Sequence, residues 1–106
     1  MSKPIYPEWP SRIGKKGKMI SPDGTPLYFV IEDEIKHEAA TGPDKVLYLQ
    51  KIRHLEDGVV ELRFCYYIIG KSPRMKGKWV FGQFAPFVFP VDFRAIVNEA
   101  KNRGWF

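Results

Sequence analysis

Residues 45–69 read KVLYLQKIRHLEDGVVELRFCYYII, two runs of strand-forming residues on either side of a turn. The turn contains the pair Asp57-Gly58, and glycine adopts the left-handed conformation that closes a hairpin at low cost. Residues 55–59 therefore predict a three-residue loop with a bulge at Gly58. Because two strands joined this closely pair antiparallel, this stretch predicts the centre of an antiparallel sheet.

The length of this loop sets the pairing of the two strands. A three-residue loop predicts these opposed pairs: Ile52 with Leu62, Tyr48 with Tyr66, and Arg53 with Glu61. The last pair joins opposite charges, which favours this register. A two-residue loop would place Arg53 opposite Leu62 and bury its charge. In the second strand, alternation predicts one core face, formed by Val60, Leu62, Phe64, Tyr66 and Ile68.

On the N-terminal side, the sequence Ser-Pro-Asp-Gly at 21–24 is a strong turn signal. It predicts a hairpin between residues 18–20 and 25–31. Residues 32–44 allow two interpretations. Ile31, Ile35 and Ala39 fall at helical spacing, which favours a short helix or an irregular segment, and a polar edge strand is the alternative.

On the C-terminal side, residues 79–89 predict an aromatic strand with a bulge or an edge position, because it contains Gly82 and Pro86. A helix follows at 90–104, opened by Pro90 and closed by Gly104. Its apolar stripe, expected to lie on the sheet, consists of Phe93, Ile96, Val97 and Ala100.

Together these elements predict a single α+β domain over residues 1–106. An extended arm rich in proline and lysine occupies 1–17, and an antiparallel meander of four to five strands occupies 18–89. The helix at 90–104 is expected to pack on one face of the sheet. A chain of 106 residues with 44% hydrophobic content can bury a core without disulfides or metals.

Composition narrows the class of protein. No apolar run approaches the roughly 20 residues that cross a bilayer, so no membrane association is expected. The N-terminus lacks the apolar segment of a signal peptide. Cys65 is the single cysteine, which fits a reducing compartment, and we expect a cytoplasmic protein. Nothing in the sequence indicates a cofactor.

Positive charge is concentrated in two segments. The net charge is +5, and residues 1–18 and 71–78 each carry +4. Such patches favour polyanionic partners, nucleic acid above all. The candidate nucleic-acid-binding residues are the loop cations Lys71, Arg74, Lys76 and Lys78, the aromatic residues Trp79 and Phe81, and the N-terminal cations Lys15, Lys16 and Lys18. The simpler alternative is a solvated loop whose lysines maintain solubility.

No catalytic or metal site is predicted. The stretch 70–79 is not a Walker loop, because its glycines are too far apart and a strand follows it. Asp57, Glu61 and Arg63 resemble part of a nuclease site, but Arg53 accounts for Glu61 better. His37, His54 and Cys65 lack metal-ligand spacing. An enzyme is therefore not indicated.

Three functional hypotheses follow, in this order. The first is a nucleic-acid-binding module that uses the loop 71–78. The second is a protein-interaction or self-assembling module that uses the arm and a strand edge. Here the acidic segment 32–38 could meet the basic loop of a second copy in a homodimer. The third is a small-ligand binder with a site between sheet and helix.

Overall fold

The computed structural model describes residues 6–82 and 85–106. Five strands precede one helix: β1 (Lys16–Ile20), β2 (Pro26–Glu38), β3 (Lys45–His54), β4 (Val60–Ile69), β5 (Trp79–Phe81) and α1 (Pro90–Asn102). The strands pair antiparallel in the order β1-β2-β3-β4-β5. The predicted α+β class, with an antiparallel meander and a C-terminal helix, is confirmed.

The sheet is strongly curled into a half-barrel. Although β1 and β5 are at opposite edges, Lys16 and Gly17 of β1 line the same cavity as Phe81 of β5. The face that contains this cavity is concave, and we call it the concave face. The helix contacts β2 on the opposite, convex face. Strand twist and the bulge in β2 both favour such curling.

The first hairpin forms as the sequence predicts. The Gly24 N–H donates to the Ser21 carbonyl oxygen (2.9 Å), and Gly24 has a φ of 87°. Asp23 reinforces the turn, because its carboxylate accepts hydrogen bonds from the Ser21 hydroxyl and from the Thr25 N–H. These bonds lower the pKa of Asp23 to about 2.

The favoured interpretation of residues 32–44, a helix or irregular segment, is wrong for residues 32–38. They continue β2, and because β1 pairs only with residues 26–30, residues 33–38 pair with β3 alone. The alternative interpretation, an edge strand, is therefore confirmed for this part of the segment. The register shifts between Ile31 and Asp33, so an extra residue resets the alternation. Ile31 consequently pairs with Ile52 on the concave face, while Ile35 joins the helix-side core. The bulge reproduces a helix-like spacing within a strand.

The predicted register of the central hairpin is wrong by one residue. The His54 N–H donates to the Val59 carbonyl oxygen, which leaves four residues in the loop instead of three. Gly58 is left-handed as predicted, with a φ of 71°. The observed pairs are Ile52 with Glu61, Tyr48 with Cys65, and Arg53 with Val60.

The charge pairs of this hairpin differ accordingly. Arg53 does not pair with Glu61; its Nε donates to Glu32 Oε2 at 2.9 Å. Glu61 instead contacts His54 Nε2 at 2.6 Å. The predicted Arg53–Glu61 pair is thus replaced by an ion pair between Arg53 and Glu32 of β2 and a hydrogen bond between His54 and Glu61 of β4.

The burial pattern of β4 also corrects the prediction. The buried residues are Cys65, Tyr67 and Ile69, whereas Val60, Leu62 and Ile68 are exposed. Phe64 and Tyr66 are half-buried and pack on the helix-side core. Both faces of the sheet therefore carry core, because the helix covers one face and the N-terminal arm covers part of the other.

The helix buries a narrower stripe than its sequence predicts. Ile96 and Ala100 are buried against the convex face, while Val97 is half-buried and Phe93 is 50% exposed. The ring of Phe93 stacks on that of Phe64, with centroids 6.4 Å apart. Helix α1 therefore packs against β2, and its buried side chains share one core with Leu47 and Leu49 of β3.

Both ends of the helix are held by specific hydrogen bonds. Asp92 is buried, and its carboxylate accepts the Ala40 N–H (2.9 Å) and contacts His37 Nε2 (3.0 Å). At the other end Gly104 is left-handed, and the Trp105 N–H donates to the Ala100 carbonyl oxygen. This is a Schellman motif, and Trp105 packs back onto the core.

The N-terminal arm lies along the concave face. Trp9 packs against the cluster of Val46, Tyr48, Cys65 and Tyr67. The Tyr48 hydroxyl donates to the Pro10 carbonyl oxygen at 2.6 Å, and Trp79 Nε1 donates to that of Pro7 at 2.8 Å. Ring contacts therefore hold residues 7–10, whereas residues 14–17, which the sequence assigned to the arm, pair with β2 through their backbone.

The last predicted strand, 79–89, is shorter than expected. Strand β5 ends at Phe81, residues 83–84 lie outside the described part of the chain, and residues 85–89 are not in a strand. In this connection Phe87 is 90% exposed. In the described ranges, no helix is long and apolar enough to span a bilayer.

Candidate functional site

A groove of about 400 Å³ runs along the concave face beside the N-terminal arm. Its lining combines cations with aromatic and apolar residues: Arg12, Lys16, Gly17, Ile31, Arg63, Tyr67 and Phe81. These residues come from the arm, both edge strands, β2 and β4. The curl of the sheet is therefore what assembles this groove.

A row of polar side chains crosses the floor of the concave face. Glu34, Gln50 and Arg63 are direct cross-strand neighbours on β2, β3 and β4. Gln50 is fully buried; its Nε2 donates to Glu34 Oε2 at 2.7 Å. Its Oε1 accepts from Arg63 Nε at 2.9 Å and Nη2 at 2.6 Å. A buried amide is thus satisfied on both sides, which fixes the position of the Arg63 guanidinium.

Aromatic rings flank this guanidinium. Arg63 Cζ lies 4.9 Å from the ring centroid of Phe29 and 5.4 Å from that of Phe81. Phe81 also packs edge-on against Tyr67, with centroids 5.4 Å apart. Since Phe81 remains 42% exposed, its ring offers a surface to a ligand in the groove.

The arm and β1 form the other side of the groove. The Arg12 N–H donates to Glu34 Oε1 at 3.0 Å, which ties the arm to the polar row. Gly17 lies directly over the Phe29 ring, and a Cβ on Gly17 would fall 2.2 Å from its Cζ. Glycine therefore permits β1 to approach Phe29 closely.

The electrostatics of the groove favour an anion. Arg12, Lys16 and Arg63 line it, and its lining includes no acidic residue. The buried Glu34 carboxylate lies beneath them and is held by Gln50. Burial raises the pKa of Tyr67, while the nearby Arg12 guanidinium opposes this rise. The Tyr67 hydroxyl is therefore neutral at physiological pH, and the positive charges prevail.

Two further titratable side chains, Tyr48 and Cys65, lie next to this groove. Burial raises the pKa of Tyr48, and the Glu34 charge adds to the effect. Burial raises the pKa of the Cys65 thiol to about 11, although Arg63 counteracts this in part. Cys65 is consequently a protonated, buried thiol, which does not favour a nucleophilic role.

The predicted N-terminal cations are placed differently from one another. Lys16 lines the groove. Lys15 pairs through its backbone with Ile31, whose N–H donates to the Lys15 carbonyl oxygen, and its side chain is exposed. Lys18 is exposed on β1 with its ammonium 6.0 Å from the Tyr28 ring centroid.

The predicted basic loop is a compact, exposed turn between β4 and β5. The Gly70 N–H donates to the Lys78 carbonyl oxygen, which closes the loop at its base. Its cations Lys71, Arg74, Lys76 and Lys78 are all exposed. Lys71 lines a separate cavity of about 600 Å³, together with Asp44 and Lys45. That cavity includes an acid and lacks an aromatic ring, so it suits an anion less well.

Trp79 and Phe81 play different parts. Trp79 is half-buried, and its ring packs edge-on against Tyr6 with centroids 6.0 Å apart. It therefore anchors the arm. Phe81, three residues beyond the loop, lines the groove. Of the predicted residues, the structure brings Lys16 and Phe81 together and leaves the loop cations at the far end of β5.

The sequence interpretation missed Arg12 and the row of Glu34, Gln50 and Arg63. A signal was present, because Gln50 and Arg63 interrupt otherwise apolar strands. The predicted register, however, placed Gln50 opposite Phe64. With the observed register, Gln50 faces Arg63 and the row becomes apparent.

The residues that were weighed as parts of a nuclease or metal site make local contacts instead. Asp57 accepts a hydrogen bond from the Val59 N–H within the turn (3.0 Å), and Glu61 contacts His54. Across the residues that the structure describes, no three His, Cys, Asp or Glu side chains converge as metal ligands.

Comparisons with known proteins add no assignment. No protein-family model, curated protein or solved structure matches the chain. A functional proposal for this protein therefore depends on the groove and its chemistry.

Proposed function

We propose that this protein binds single-stranded nucleic acid in the groove of the concave face. The observation that carries the proposal is that Arg12, Arg63 and the exposed ring of Phe81 line one groove, whose β1 edge also carries Lys16. Proteins that bind single strands combine a positive channel along the backbone with aromatic rings on which bases stack.

The basic loop extends this binding surface in our proposal. Lys78 precedes Phe81 by three residues, so strand geometry places the base of the loop about 10 Å from the groove. The loop cations Lys71, Arg74, Lys76 and Lys78 would contact phosphates without reading bases. A cytoplasmic location, in which Cys65 stays reduced, is part of the same proposal.

Fluorescence anisotropy with labelled single strands tests this function. Binding should be measurable at low salt and should weaken as salt rises, with a slope of about 0.7 per neutralised phosphate. Lys16→Ala should lower both the affinity and the slope. Arg94→Ala, which removes an exposed helix cation outside the groove, is the matched control and should change neither. Absence of binding at low salt would refute the proposal.

Self-association is a second candidate, favoured by the aromatic patch formed by Phe87, Phe89, Val91 and Phe93, all of which are exposed. We propose a second copy of the chain as its occupant. In residues 85–93 the one charged side chain, Asp92, is buried, and Lys45 beside them donates to the Phe87 carbonyl oxygen at 3.1 Å, so the exposed rings themselves bring no charge into a contact between two copies. Two copies that paired through their β1 edges would bring the cations Lys16 and Lys18 of each copy together. Their like charges would repel, which disfavours that contact.

Sedimentation equilibrium separates this candidate from the first. A dimer that dissociates in the Phe87→Ser variant would support self-association through the patch. A monomer at all concentrations would remove this candidate and leave nucleic-acid binding unaffected.

A further inference from the structure

Arg63 has a free donor edge at the groove. Its Nε and Nη2 are bonded to Gln50 Oε1, and the Cys65 thiol also interacts with the guanidinium, whereas Nη1 has no oxygen or nitrogen acceptor in the described part of the chain. The described residues contain no buried side-chain nitrogen or oxygen atom without a partner, so Nη1 is accessible to solvent. Arg63 therefore presents its Nη1–Nη2 edge to an incoming group.

This edge is fixed in place, unlike the other cations of the groove. Gln50 is held by Glu34, and the rings of Phe29 and Phe81 limit the movement of the guanidinium on both sides. Arg12 and Lys16 are exposed. A mobile cation is sufficient to neutralise a phosphate, but reading a base requires donors held in a defined geometry.

We infer that Arg63 selects guanine in the bound strand, donating two parallel hydrogen bonds to O6 and N7. An arginine in this bidentate arrangement is the commonest specific contact to guanine. Adenine has an amino group in place of O6 and would meet these donors with a donor. This inference rests on the proposed function, and in it Arg12 and Lys16 hold the phosphates while Phe81 stacks on the base or its neighbour.

Anisotropy titrations with strands of about ten uridines, the length of a single binding site, test the inference when one central base is varied. The strand with guanine should bind about five-fold to a hundred-fold more tightly than the all-uracil strand. Inosine, which keeps O6 and N7, should bind like guanine. The analogue 7-deazaguanine, which lacks the N7 acceptor, should lose most of this advantage, and adenine should have none.

Two variants identify the residue responsible. Arg63→Lys keeps the charge but loses the paired donors, so the ratio of the affinity for the guanine strand to that for the all-uracil strand should fall to about one. Lys16→Ala should weaken binding to both strands equally and keep the preference. A circular dichroism spectrum and an unfolding curve like those of the wild type verify that Arg63→Lys is folded.

The outcomes distinguish this inference from the function on which it depends. Equal affinity of the wild type for every strand would overturn guanine selection and leave nucleic-acid binding intact. If Arg63→Lys kept the guanine preference, or lost the same affinity for every strand, Arg63 would be a phosphate-binding residue. Either result would also overturn guanine selection. Failure to bind any strand would refute both.

Discussion

Gln50 shows how one buried polar side chain can organise a surface. It is inaccessible to solvent and lies between a carboxylate and a guanidinium, each within hydrogen-bonding distance. An unpartnered amide at this position would cost about 1–3 kcal/mol. The row is therefore stable only when all three members are present, and Arg63 is held in position at the groove as a result.

Gly17 provides a test at the same scale. A Cβ at this position would overlap the ring of Phe29, which is 1% exposed and cannot swing into solvent without unpacking. We expect Gly17→Ala to lower the free energy of unfolding by about 1–3 kcal/mol through overpacking. Urea denaturation measures the change.

The neighbouring variant Lys18→Ala is the control for this substitution. Its side chain is exposed on the same strand, so its effect should stay within about 0.5 kcal/mol. If Gly17→Ala proved as stable as Lys18→Ala, the close approach of β1 to Phe29 would be incorrect.

Residue-level features could be predicted from sequence where they depend on neighbours in the chain. Gly58 and Gly104 adopt the left-handed conformations that their turn and helix end require. Gln50 and Arg63 depend instead on a partner across the sheet. Their contact follows from the strand register, which an error of one residue shifts to the wrong neighbour.

At the scale of elements, the helix and its docking illustrate the same division. The bounds of α1 follow from Pro90 and Gly104, which are local signals. The hydrogen bonds that the Asp92 carboxylate accepts from Ala40 and His37 are non-local, so no pattern within the helix sequence indicates them. The full length of β2 could not be predicted either, because its bulge places Ile31 and Ile35 at a spacing that is typical of a helix.

Removal of the Asp92 carboxylate should loosen this docking. We expect Asp92→Ala to reduce the free energy of unfolding by about 1–3 kcal/mol, since two hydrogen bonds to a buried carboxylate, from Ala40 and His37, are lost. Thermal or urea unfolding followed by circular dichroism gives the value.

Glu99→Ala on the same helix is the matched comparison. Glu99 forms a partly exposed pair with Arg103, four residues on, and such pairs contribute only about 0.3–0.5 kcal/mol. Equal losses in the two variants would mean that Asp92 does not anchor the helix.

At the scale of the whole molecule, the curled sheet separates two surfaces with different chemistry. Helix α1 packs on part of the convex face, beside β2, and encloses an apolar core there. The concave face holds polar and ionisable groups beside the arm, including Tyr48, Cys65 and Tyr67, whose pKa values are all raised mainly by burial. The fold class could be predicted from the sequence, but this distribution depends on curvature and arm placement.

These raised pKa values predict a loss of stability in alkali. For Cys65 the ordinary value of 9.0 rises to about 11, so between these pH values the unfolded chain has released a proton that the folded protein keeps. The unfolded state then binds fewer protons, and the free energy of unfolding falls as the pH rises. Tyr48 and Tyr67 contribute in the same direction at higher pH.

Urea denaturation at a series of pH values measures this dependence. Cys65→Ala should flatten the decline between about pH 9 and 11, whereas Ile69→Val, a buried change on the same strand without a titratable group, should leave its slope unchanged. A wild-type stability that is constant over this range would show that Cys65 is not buried as a thiol.

The most direct test of the central claim, that the curl of the sheet assembles one nucleic-acid-binding groove from both of its edges, is a map of backbone amide shifts during titration with a single-stranded oligonucleotide. The account predicts that resonances at residues 12–17, 63–67 and 81 move together in a saturable way, while those of α1 stay in place. Shifts confined to the loop 71–78, or to one sheet edge alone, would contradict it.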